Sequence, residues 1–162
     1  MLHLNSKQIE DYYFRSYTGV DGLWFMKAED KYGFEAALAV DKEVWKVVPK
    51  IQARMLKSMG NTGDGIDALF ECFTTKLTLD RFQFRTEKLE NGFKVIITRC
   101  HWYDLLVKSK RQALAERIAT HICNAEYSGW AAEFGSDILV QMQGQLCTGA
   151  ESCILHFSQG KE

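Results

Sequence analysis

Up to about residue 75 the apolar positions recur at helical spacing, and beyond it they fall into short alternating runs, so the chain reads as helices followed by strands. Asn5 or Ser6 caps a helix beginning near Lys7, with Ile9, Tyr12, Tyr13 and Tyr17 on one side and Gly19 as its end. A second short helix follows Asp21 through Leu23, Trp24, Phe25 and Ala28 to Gly33. From Phe34 to Met59 the helical spacing continues; Asp41 offers a new start there, and Pro49, which lacks an N–H and clashes with the turn before it, predicts a kink or restart. Gly60 to Gly65 reads as a loop, and Ile66 to Phe73 as a short helix. The aromatic set Tyr12, Tyr13, Tyr17, Trp24, Phe25 and Trp45 is expected to pack between these helices.

The second half opens on a hairpin pattern. Leu77, Leu79, Phe82 and Phe84 precede Asn91-Gly92, and Phe93, Val95 and Ile97 follow it; Asn-Gly suits the type I′ turn between antiparallel strands. The apolar parity slips between Leu79 and Phe82, which predicts a bulge near Asp80-Arg81. Helical spacing returns from Asp104 to about Phe134, and two alternating runs follow, Ile138-Val140-Met142 and Cys153-Leu155-Phe157, which can pair across the turn at Thr148 and Gly149. The fold class is α+β: N-terminal helices packed with an antiparallel four-stranded sheet, in the order helices-ββ-α-ββ. A single domain over residues 1–162 is expected, with a helical half at 1–75 and a ββαββ half at 76–162.

Composition narrows the function classes. With 162 residues, 46% hydrophobic and 25% charged, and a net charge of −1, the chain is an ordinary globular domain without the basic excess that nucleic-acid binding rests on. No apolar run approaches a membrane span and residues 1–20 lack a secretory layout, so the expected location is cytoplasmic, with no membrane partner. A homodimer is the natural assembly to expect among symmetric ones.

The five cysteines stand apart. An odd number in a chain that can bury a core argues against a disulfide framework, and leaves packing thiols, metal ligands or a nucleophile. Cys72 sits beside Phe70 and Phe73 and reads as core. Cys100, Cys123, Cys147 and Cys153 lie at strand ends and on the connecting helix, with His101, His121 and His156 near them. Thiolates with an imidazole are ligands for Zn or another thiophilic metal, although no C-x-x-C pair is present. Strand parity opposes Cys100 to His101, and Cys153 to His156. Helical spacing turns His121 inward with Leu114 and Ile118, as an alternative ligand or a core histidine. Cys100, flanked by Arg99 and His101 and standing just before a helix, is the candidate nucleophile, with Glu126 or Asp137 as base or orienter. The basic cluster Lys108, Lys110, Arg111 and Arg117 reads as a solvated face, and Gly60, Gly63 and Gly65 as a loop rather than a phosphate cradle.

The segments from Asp21 to Trp45, Thr98 to Cys100, Ile122-Cys123 and Leu146 to Phe157 resemble a little-characterised prokaryotic family of cytosolic proteins, itself similar to the L-2-amino-thiazoline-4-carboxylic acid hydrolase group. The last strand, opened by a cysteine, is also similar to vinyl-4-reductase-type ligand-binding domains. The resemblance implies an α+β fold in which Cys100, Cys123, Cys147 and Cys153 occupy the family's cysteine positions near a pocket. The leading reading is thus a domain that binds a small-molecule ligand or a metal through a cysteine-lined pocket. The alternatives are a hydrolase opening a cyclic amidine or amide, and a structural or interaction protein whose thiols only pack.

Overall fold

The computed structural model describes residues 1–160. Two compact units divide the chain, Met1–Glu43 and a second beginning at Val44. In the first, helix α1 spans Ser6–Tyr32. It opens on a capping box in which the Gln8 amide donates to the Asn5 side chain and the Asn5 amide to the Gln8 side chain, each at 2.9 Å. The two short helices expected here are one, because Gly19 and Gly22 keep helical backbone and the helix ends only at Gly33, at φ 85°, whose N–H donates to the Glu29 carbonyl. Helix α2, Phe34–Trp45, follows at once, with Asp41 inside it rather than at a start. Phe25 and Phe34 meet edge-on at 5.9 Å. The expected packing of the N-terminal aromatics is overturned at Tyr12, Tyr13 and Trp24, which stand in solvent.

In the second unit, α3 (Val48–Gly60) starts with Pro49 in its first turn, the restart that proline favours. Helix α4 (Ile66–Leu79) runs a turn and a half beyond its expected end, since Leu69, Phe73 and Leu77 continue one apolar stripe. The parity slip is therefore a helix-to-strand junction, made by Arg81 at φ 61°, and the irregularity in the ladder falls at Gln83/Phe84. Strands β1 (Gln83–Leu89) and β2 (Gly92–Arg99) pair antiparallel around Glu90-Asn91, with Leu89 opposite Gly92. Gly92 is needed for close approach: a Cβ there would lie 2.0 Å from the Phe157 carbonyl oxygen. The single connecting helix expected is two, α5 (His101–Lys108) and α6 (Ala115–Ala132), broken where Lys110 takes φ 60°. Strand β3 (Ile138–Gln143), a 3₁₀ turn (Leu146–Thr148) and β4 (Cys153–Gln159) complete an antiparallel sheet of order β1-β2-β4-β3.

Alternation on β2 and β4 sends Phe93, Val95, Ile97, Leu155 and Phe157 to one face, where Leu69, Phe73 and Leu77 of α4 and Trp130 of α6 complete the core. Phe73 is its centre, edge-on to Tyr127, Trp130 and Phe157 at 5.8, 5.6 and 5.0 Å. Helices α3 and α4, expected in a helical half, thus share their core with the sheet. At the rim a bidentate Arg54–Glu133 pair, at 2.7 and 2.9 Å, ties α3 to the end of α6. Gly92→Ala is expected to destabilise the fold by about 2–3 kcal/mol, as overpacking against a fixed backbone does, measured as a lower urea midpoint at unchanged m-value.

Candidate functional site

Four separate elements carry the thiols that the sequence singled out. Cys100 closes β2 and precedes α5, Cys123 lies on α6, Cys147 on the 3₁₀ turn, and Cys153 opens β4 opposite Ile97. All four are free and partly buried. Burial drives the Cys123 thiol well above its ordinary value of 9.0, and the charges that Glu126, Cys100, Cys153 and Cys147 would carry push it further. Cys100, Cys123 and Cys153 all pack against the core shared by the helices and the sheet. Cys153 accepts from the Leu146 amide at 3.2 Å, and Cys147 donates to the Gln145 side-chain amide oxygen at 3.6 Å.

Cys100 is pushed up to about 12, by burial above all, although the amides of Tyr103 and Trp102 at the start of α5 pull the other way. The lowered pKa that an attacking thiolate needs is absent. Arg99, expected to help, gives its guanidinium to Asp104 at 2.6 Å. His101 is held below its ordinary value by burial, against the opposing charge of Asp104.

Glu126, expected as a base or orienter for Cys100, is engaged by a group that sequence reasoning missed. Lys76, 2% exposed, donates to the Glu126 carboxylate and pairs with Asp80 at 3.2 Å; Glu126 is 4% exposed. Burial disfavours the ammonium, yet the charges of Glu126 and Asp80 outweigh it and hold the Lys76 pKa above its ordinary value. The signal was a lone lysine in the stripe Leu69-Cys72-Phe73-Lys76, hidden by assigning Lys76 to a strand. Cys123, Glu126, Tyr127 and Trp130 recur at helical spacing on the inward face of α6. The Trp130 indole N–H is buried with no hydrogen-bond acceptor among the described residues.

The other expected participants lie elsewhere. His121 faces solvent on α6, whose inward stripe runs through Ile118, Ile122, Glu126 and Trp130 with Cys123 beside it, so the expectation of an inward His121 is overturned. His156 lies between Leu155 and Phe157 and points to the opposite face of β4. Asp137 is exposed and accepts from Gln159 at 2.8 Å. Cys72 is core, as expected, with the Thr62 hydroxyl 3.3 Å from its sulfur. Among the described residues no three His, Cys, Asp or Glu side chains are placed to hold a metal ion. No helix of the described chain is long and apolar enough to cross a membrane.

The fold and this inward face define an α+β domain with buried polar chemistry between helix and sheet. The chain belongs to the family of unknown function DUF6125, which matches residues 6–149. No curated protein matches it, so the thiazoline-hydrolase resemblance rests on the sequence segments alone. Among solved structures the chain is similar to the phenol-responsive sensory domain of the transcription activator PoxR with phenol, at TM-score 0.52 and 11% identity, covering 87% of this chain and 73% of that one. At that identity the likeness is one of fold.

Lys76→Met is expected to cost about 3–5 kcal/mol by stranding Glu126 and Asp80, whereas Lys76→Met with Glu126→Leu recovers most of the loss; chemical denaturation of the two variants checks this. Raised thiol pKa values stabilise the native state fully below the ordinary value of 9.0 and less as pH climbs from there towards about 12 for Cys100. At pH 8, Cys100 and Cys123 are expected to alkylate at least tenfold more slowly in the native than in the unfolded protein, as peptide mapping after iodoacetamide would report.

Proposed function

We propose that this protein is a small-molecule-binding domain whose ligand is received at the cysteine-lined end of the sheet, between Cys100, Cys123, Cys147 and Cys153. The observation that supports the reading is that Cys100, Cys123 and Cys153 pack from separate elements against one core, that the turn carrying Cys147 is tied to Cys153 through the Leu146 amide, and that Cys123 is one helical turn from Glu126 of the buried Lys76–Glu126 pair. The unsatisfied Trp130 N–H on the same helix face adds a donor for a polar ligand atom. The likeness of the fold to a phenol-responsive sensory domain supports a small aromatic compound as the first probe.

A second reading follows from the donor set: soft thiols with one carboxylate suit Zn²⁺ or another thiophilic ion. It requires the sulfurs to close in by side-chain rotation and to lose their protons on binding, so that affinity rises with pH. Catalysis by Cys100 gains no support from its raised pKa, and the ring-opening hydrolase is correspondingly the weakest of the readings.

Thermal-shift and calorimetric titrations with phenol alone and with Zn²⁺ alone, on untagged protein and on Cys123→Ser, separate these readings. Saturable binding of phenol that Cys123→Ser weakens at least tenfold supports the ligand site, and stoichiometric Zn²⁺ lost in that variant supports the metal. If neither probe binds and Cys123→Ser changes stability alone, the thiols are packing and the proposal fails.

A further inference from the structure

Helix α1 is apolar on two opposite faces. Phe14, Thr18, Phe25 and Ala28 lie on one side, buried or half-buried. Ile9, Tyr12, Tyr13, Val20, Leu23 and Trp24 share the other, within an arc of about 120° at roughly 100° per residue, and these six side chains are 44–66% exposed. The three rings, at roughly 150–250 Å² apiece, leave about 300–500 Å² open, and the aliphatic residues bring the face to about 600 Å². That is at or beyond the largest apolar patch of an ordinary monomer.

Glycine supplies an independent observation. Gly19 and Gly22 sit in the middle of α1, and a Cβ at either would meet nothing within 4 Å. Nothing in the described chain needs a missing side chain there, yet glycine weakens a helix interior relative to alanine. Gly19 borders the exposed face beside Tyr12 and Leu23, and Ser16 lies within it. Small residues at the middle of an apolar helix face are what close approach of a second helix requires.

We infer that α1 is a homodimerisation helix, its exposed face packing antiparallel on the same face of a second copy, with the crossing at Ser16 and Gly19. A self-complementary face is what a two-fold interface demands, and two such faces would bury about 1,200 Å², the lower end of stable interfaces. Antiparallel pairing sets Ile9 against Trp24 and Tyr13 against Val20, and aligns the helix dipoles favourably. Parallel pairing would instead set the two helix dipoles side by side in the same direction. This inference is independent of the ligand site.

Sedimentation velocity of the full chain is expected to show twice the chain mass, with a dissociation constant in the micromolar range or tighter, as about 1,200 Å² supports. Val20→Glu, an exposed position on a retained helix, is expected to give a folded monomer with unchanged far-UV circular dichroism. Gly19→Ala separates the dimer from a merely tolerant helix: it is expected to raise the dissociation constant at least tenfold, although alanine favours the helix itself. A native chain that is monomeric at about 100 µM, or a dimer indifferent to Val20→Glu and Gly19→Ala, overturns the inference.

Discussion

A charge that cannot be left alone organises the second unit. Lys76 is placed by α4 among Leu69, Phe73 and Leu77, where an unpaired ammonium would be prohibitive, so the fold is viable only when α6 delivers Glu126 to it and the end of α4 delivers Asp80. Apolar contacts tolerate small slides between helices; an ion pair in the interior does not. The pairing therefore sets the phase of α6, and with it the direction of every other residue on that helix. Cys123, one turn before Glu126, is turned towards the sheet by the same constraint that turns His121 out.

The thiols depend on this arrangement electrostatically as well. Burial first, and then the charge of the Glu126 carboxylate paired with Lys76, discourage ionisation of the Cys100 and Cys123 thiols. Partly buried thiols held in the neutral form make poor nucleophiles. The two partners of that ion pair, Lys76 and Glu126, are 50 residues apart in the sequence.

Much of the fold was legible because its signals are local. The alternation of Phe93, Val95 and Ile97 and of Cys153, Leu155 and Phe157 specifies strands whichever sheet they join, and Pro49 requires a helix restart wherever it falls. The errors came where local rules compete. Gly19 and Gly22 resemble a helix end, but a glycine terminates a helix only by adopting positive φ, and the flanking residues favour continuation. Leu79 matches a strand by parity and a helix by spacing; burial of Leu77 and Lys76 against α6 decides for the helix. For the site, residue types were readable and facing directions were not, as His121 and Cys123 show.

By itself the sequence determined the α+β class and the four strands, since each follows from period and composition within a few residues. Only the tertiary structure decided that Lys76 and Glu126 share one buried pair, that Cys123 turns inward on α6 while His121 turns out, and that Tyr12, Tyr13 and Trp24 of α1 stand exposed. These are relations between residues tens of positions apart, and they are set by which helix phase lets every buried charge find its partner.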